Sequence, residues 1–341
     1  MNAWCLSLVF LAGSSIPGVA QAPGVPIEVN GEWSGPQEII AEATALKKAG
    51  KLTGQDAFLA MLAKPSAQKV TLPPVKSLVL SRAEVYEVAR RSRVRVGWFY
   101  LCRECRDWHV DLAGGYALTD DGVIATCQHV AAPLPEMAEG YLIVVDASGK
   151  VCPVIGVIAS SENRDTTVLR ASGENFRGLP LNDQVRPGDA AYCLSDPLGN
   201  NGYFSEGMVN RFYRQTDGAG TAAEQLRLNV STEWAPGSSG SPVLDQCGNA
   251  MGHVSMITAL TEDPEEEEAD DKDQPKAAPG KTAGGGKSDG GKPAESPEEG
   301  PLPPGTQIVL HEACPSRSVR QLLEAATTTN QEAAPAGPAG P

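Results

Sequence analysis

The sequence predicts an all-β fold of two six-stranded antiparallel β-barrels, with helices before and after them. Three observations predict it. From Val94 onward, short apolar runs follow the two-residue period of strands. Gly, Asp and Asn turns separate the runs at close intervals. Twelve such runs are present, enough for two barrels of six. They fall at 94–101, 112–118, 123–126, 141–145, 151–158 and 167–170, then at 190–194, 204–213, 225–230, 241–244, 250–257 and 307–310.

Residues 23–80 read as a helical extension. Helical patterning covers 37–49 and 55–62, Gly50 sits where the first helix would stop, and Thr53 with Asp56 suits the start of the second. Pro73-Pro74 ends this unit, which is expected to be a helical hairpin. Ser81 and Glu84 then have the spacing of a capping box, in which a hydroxyl and a carboxylate satisfy each other's backbone amides, so a helix to about residue 91 follows.

The barrel unit spans 81–325. Inside it, residues 262–305 are crowded with Glu, Asp, Lys, Gly and Pro and nearly lack aromatic and β-branched residues. Such a stretch cannot bury enough apolar surface to offset its ordering entropy, so it is expected to be a disordered insertion. The same is expected of the tail at 326–341. Much of the net charge of −14 lies in that insertion, and no basic footprint is present, which argues against nucleic acid as a partner.

Residues 1–22 read as an export signal, with an apolar run from Trp4 to Gly13 and small residues before Ala20 and Ala22. Export to a periplasmic or extracellular compartment is oxidising, so most of the cysteines beyond the signal are expected to pair.

Chemistry concentrates in three places. Pro236-Gly237-Ser238-Ser239-Gly240 is a turn of small residues that can present Ser239 as a nucleophile. The amides of Gly237 and Ser239 would form the oxyanion hole. A strand at 123–126 runs into His129, one of four histidines. Asp165 enters an apolar strand and can accept the imidazole Nδ1–H, holding the tautomer that acts as base. A lone histidine at a strand end is more often structural; the order His, Asp, Ser is what strengthens the reading. His253 reads as a packed strand residue.

At these residues the chain resembles the chymotrypsin-like (trypsin-fold) serine peptidases, most closely the HtrA/Deg type. The resemblance rests on Gly-Tyr-Ala-Leu at 115–118, Asp165-Thr-Thr-Val-Leu, Pro187-Gly-Asp followed by Asp196-Pro-Leu-Gly, and the Ser239 turn. It implies His129 as general base, Asp165 as orienter and Ser239 as nucleophile, acting on protein or peptide substrates through an acyl-enzyme without a cofactor. It also implies a substrate pocket with Glu233 at its floor and Ser255 on the strand beside it. An acid there would favour Lys or Arg at P1, and a solvent-facing carboxylate is the competing reading. A disulfide between Cys193 and Cys247 is implied by the same resemblance. Ser241 departs from the family's second glycine, and the residues after Leu323 are too few for the PDZ domain that relatives append.

Cys102, Cys105, His109 and Cys127 are expected at one end of the first barrel. A disulfide from Cys127 to a turn cysteine, a zinc site of all four residues and a Cys102–Cys105 redox pair remain alternatives. A silent trypsin-fold binding module, or a metal or redox protein built on the Cys-x-x-Cys pair, are the alternative functions.

Overall fold

The computed structural model describes residues 35–66, 68–215, 225–261 and 306–332. The expected export signal, the acidic insertion and most of the expected tail lie outside the described residues.

Twelve strands close into two antiparallel barrels. The first is built from β1 (Arg93–Cys102), β2 (Trp108–Ala117), β3 (Val123–Thr126), β4 (Met137–Val145), β5 (Val151–Ser161) and β6 (Thr166–Ala171). The second uses β7 (Ala190–Ser195), β8 (Tyr203–Gln215), β9 (Gln225–Val230), β10 (Pro242–Leu244), β11 (Ala250–Thr261) and β12 (Thr306–Pro315). Each barrel pairs its strands in the same pattern. The first runs β1-β2-β3-β6-β5-β4 and the second, read backwards, β7-β8-β9-β12-β11-β10. Closure removes the exposed edges that an open antiparallel sheet would carry.

Strand β1 is buried along most of its length because both of its faces are covered. Val94, Val96 and Trp98 point into the barrel. Phe99 meets helix α1 (Pro36–Lys48), which contributes Ile39 and Ala43 to the same cluster. Helix α2 (Gln55–Ala63) sets Phe58 edge-on against Trp98, with centroids 5.6 Å apart. Each fully buried aromatic of this kind contributes about 2–3 kcal/mol of transfer free energy. The expected hairpin thus buries its apolar faces on the first barrel. Helix α2 is capped by Gly54, while the Thr53 hydroxyl donates to the Val154 carbonyl at 2.7 Å instead of capping the helix.

An extended strap follows to Ser81 and crosses to the second barrel, where Lys76 exchanges hydrogen bonds with the Asn249 side chain at 2.8 and 2.9 Å. The capping box forms as expected: the Ser81 amide donates to Glu84 Oε2 at 2.8 Å and opens helix α3 (Arg82–Ser92). Val85 and Ala89 of α3 lie in the seam between the barrels, with Tyr116 and Leu118 from one side and Tyr192 and Leu244 from the other.

Helix α5 (Ser316–Glu332) packs Val319, Leu322 and Leu323 into that seam. It continues past residue 326, where the tail was expected to lose order. Ala326 still packs on the seam cluster, and the Thr327 hydroxyl donates to the Leu323 carbonyl at 2.9 Å. Thr261 and Thr306 are register partners, so the segment at 262–305 leaves and re-enters the barrel at adjacent positions.

Candidate active site

His129 lies in α4 (Gln128–Ala131), a single helical turn directly after β3. Asp165 ends the β5–β6 turn with φ 45°. Aspartate tolerates this left-handed region better than most residues because its short side chain can bond locally. The Asp165 carboxylate accepts from the Gln128 and His129 amides at 3.0 and 3.2 Å. His129 Nδ1 donates to Oδ1 at 2.9 Å. That bond fixes the tautomer and leaves Nε2 as the basic nitrogen, on a side chain that is half exposed.

The other carboxylate oxygen, Oδ2, accepts the Ser255 hydroxyl at 2.6 Å. Burial disfavours the charge on Asp165, yet the His129 imidazole and the Ser255 hydroxyl outweigh it and hold the carboxyl well below the usual carboxylate range. Behind it, His253 Nε2 donates to the Asp165 carbonyl at 3.2 Å. Burial pushes His253 down to about 4, against the pull of that carbonyl.

Ser239 reaches the same seam from the second barrel. Its carbonyl accepts the Gly114 amide of β2 at 2.7 Å, and the Gly240 amide donates to the Val254 carbonyl at 2.8 Å. Gly240 has φ 81° and is pressed against Gly114 and Thr126, so a side chain there would collide with both. Thr126 is three residues before His129, which shows how closely the turn abuts the histidine's strand. Ser241 replaces a glycine and is accommodated because Gly114, opposite it, has no Cβ.

Gly237 has φ 90°. Among the described residues, the Gly237 and Ser239 amides donate to no protein group, and Ser239 Oγ and His129 Nε2 make no hydrogen bond. The turn is held from outside: the Leu198 amide donates to the Pro236 carbonyl at 2.8 Å. Nearby, the Asp196 carboxylate takes the buried Arg93 guanidinium in an ion pair. Burial, with Arg95 close by, pushes Arg93 down to about 9.

The expected pocket floor is corrected. Glu233 is exposed and its Oε2 accepts the Tyr203 hydroxyl at 2.7 Å, so it does not form a pocket floor. The next residue, Trp234, is the one turned inward; its Nε1 donates to the Met256 carbonyl at 3.2 Å and its ring meets His311 edge-on. Ser255, expected beside the substrate pocket, has its hydroxyl on Asp165.

The disulfides also fail. All seven described cysteines are free. Cys193 faces Val243 inside the second barrel, whereas Cys247 sits in the turn beyond Leu244 with its amide on Asp245. Cys127 does not join the turn cysteines, because β3 is short. Thr126 follows Ala125, the partner of Tyr116, so Cys127 reaches only the level of Gly114. The turn lies at the far end of β2, beyond six residues or about 20 Å of strand. Its thiol donates to the Val254 carbonyl at 3.0 Å. This also removes Cys127 from the expected four-residue zinc site.

Sequence reasoning missed Ser255 as a carboxylate partner, the His253 contact and the inward Trp234. Trp234 is the only tryptophan of the second barrel and lies five residues before Ser239, a signal the sequence did carry.

Comparison with known proteins agrees with this fold. The trypsin-like peptidase domain profile matches residues 113–252. The HhoB protein of Synechocystis sp., which carries a serine-protease name, is 27% identical over 150 residues, covering 42% of this chain. The match spans 34% of HhoB, about a third of its length. A solved structure of the HtrA-type protease AlgW with a decapeptide shares the fold with a TM-score of 0.50 at 15% identity, covering 73% of this chain and 68% of AlgW. Residues 113–252 are thus similar to trypsin-like peptidase domains, and the fold is the one seen in an HtrA-type protease.

Proposed function

We propose that the chain is a serine endopeptidase that cleaves protein or peptide substrates through an acyl-enzyme on Ser239. The observation that carries the reading is the His129–Asp165 pair, with Nδ1 committed at 2.9 Å and Nε2 open, on the same seam as a serine turn whose Gly237 and Ser239 amides donate to no group among the described residues. His129 Nε2 takes the Ser239 proton as Oγ attacks the substrate carbonyl. The Gly237 and Ser239 amides receive the oxyanion, where preorganised donors act most strongly. The ionised Asp165 holds the imidazolium that forms, which then protonates the leaving amine. Water, activated by the same nitrogen, releases the acyl group and restores Ser239.

Glu233 faces outward, which removes the reason for a Lys or Arg preference at P1. An exported setting belongs to the same proposal and rests on residues 1–22. The second reading, a silent trypsin-fold binding module, is favoured by one observation: Ser239 Oγ and His129 are not hydrogen-bonded to each other. In serine hydrolases that bond commonly tightens with substrate in place, so the open geometry does not count against catalysis.

Hydrolysis of unfolded casein by the full chain and by Ser239→Ala decides between them. We expect the substitution to reduce turnover by about 10⁶-fold with an unchanged circular dichroism spectrum. Equal rates in the two proteins refute the endopeptidase.

A further inference from the structure

We propose that the β1–β2 turn binds one Zn²⁺ through Cys102 Sγ, Cys105 Sγ and His109 Nε2, with the fourth coordination position open to water. Neither the proposed peptidase chemistry nor the fold uses this cluster.

The chain geometry converges on one point. The Cys102 amide donates to the Asp107 carbonyl at 3.0 Å, which closes the turn around residues 103–106. Arg106 has φ 64°, so the backbone reverses directly after Cys105 and folds its side chain back over the turn. His109 then stands opposite Tyr100 on β2, beside the strand end that carries Cys102. The three ligand atoms all lie within 4.8 Å of one another, and Cys105 Sγ is 3.0 Å from His109 Nε2.

Tetrahedral zinc with Zn–S of about 2.3 Å and Zn–N of about 2.05 Å sets S···N at about 3.6 Å and S···S at about 3.8 Å. With every separation at or below 4.8 Å and one at 3.0 Å, each lies within about 1 Å of that shape, a change that side-chain rotation can supply. Two thiolates and an imidazole are a donor set suited to zinc, whose borderline softness accepts both. Binding releases the two thiol protons. The competing use of these thiols is a Cys102–Cys105 disulfide, and both are free.

A second group of ligand types, Cys127, His129 and Asp165, is equally close-set. It differs in every respect that matters for a metal. Cys127 is buried, donates to the Val254 carbonyl, and is pushed well above the usual thiol range by burial. Asp165 and His129 are bonded to each other. In the turn, Cys105 is exposed, and its bond to His109 joins two of the proposed ligands, which a metal would replace.

The consequence reaches the base. Cys102 packs on the cluster containing Ala131, Val130 and Leu134, the stretch that follows His129. Arg103 ties the turn to the same stretch through the Glu136 and Met137 carbonyls, at 2.9 and 2.6 Å. A metal in the turn stiffens the support of α4 from its far side.

The test is a Co²⁺ titration of reduced, chelator-treated full chain, followed by the near-ultraviolet thiolate-to-cobalt absorption, with Zn²⁺ then added as competitor. We expect one Co²⁺ per chain, displacement by Zn²⁺, and at least about tenfold weaker binding in Cys105→Ser and in His109→Ala. Cys127→Ser should titrate like the parent. Cys105 is exposed and His109 only partly buried, so both variants should fold, and circular dichroism checks this. Zn²⁺ should also shield Cys102 and Cys105, but not Cys247, from alkylation. Three results overturn the proposal. One is the absence of a thiolate band. Another is a band that survives Cys105→Ser and His109→Ala but disappears in Cys127→Ser. The third is a Cys102–Cys105 disulfide in chain isolated without reductant.

Discussion

Asp165 receives hydrogen bonds on both carboxylate oxygens and on its backbone carbonyl. Across the seam, the Gly237 and Ser239 amides donate to no group among the described residues. The first barrel thus supplies a saturated acid and a base fixed at one nitrogen, while the second supplies unsatisfied donors held in place by left-handed glycines. The difference has a physical reason. An orienting carboxylate must stay charged and still through the reaction, so each of its lone pairs is occupied. Oxyanion donors gain their value only if nothing but the substrate fills them, because a bond already made to protein would have to be broken first.

If this division is right, damage to the acid should be graded by which partner is removed. Asp165→Asn should have the largest effect, about 10⁴-fold in kcat, because an amide can favour the wrong imidazole tautomer. Ser255→Ala removes one bond to a charged oxygen and should cost about tenfold in kcat/KM, with KM nearly unchanged. Steady-state kinetics on a short peptide measures both. Equal losses in the two variants would mean that Ser255 is as necessary as the carboxylate, and the proposed hierarchy would be wrong.

A pH dependence sharpens the comparison from the stability side. His253 is buried and its folded value lies near 4 rather than 6.5. Between those values the unfolded chain takes up a proton that the folded chain refuses, so stability falls as pH drops through that window. The full loss is roughly 3 kcal/mol. Urea unfolding at pH 7 and pH 4.5 should show most of it, and His253→Gln should flatten the slope. An unchanged slope in the variant would assign the acid sensitivity elsewhere.

The smallest effect is expected from the second barrel's insertion. Deleting residues 265–300 should leave peptide hydrolysis unchanged, because Thr261 and Thr306 already stand opposite each other. Loss of activity on short peptides would show that the insertion shapes the site.

Much of this was legible in the sequence. The two-residue period located all twelve strands, since barrel strands bury one face and the alternation survives. The Ser81–Glu84 box was readable because capping is local in sequence. What could not be read was long-range. Whether Glu233 or Trp234 turns inward depends on the irregular path of the chain beyond β9 and on the Met256 carbonyl contributed by β11. The Ser255–Asp165 bond joins residues 90 apart on different barrels. Cys127 was misplaced because the two hairpin arms differ in length, β3 reaching only part of the way along β2. The end of α5 was missed because the threonines from Thr327 onward are weak helix formers, while Ala326 packs against the distant seam.

The most direct test of the whole account is mapping where a fluorophosphonate probe attaches to the intact chain, by peptide mass analysis. The account predicts a single adduct on Ser239 that is lost in His129→Ala. An adduct on Ser238 or Ser241, or undiminished labelling without His129, would contradict it.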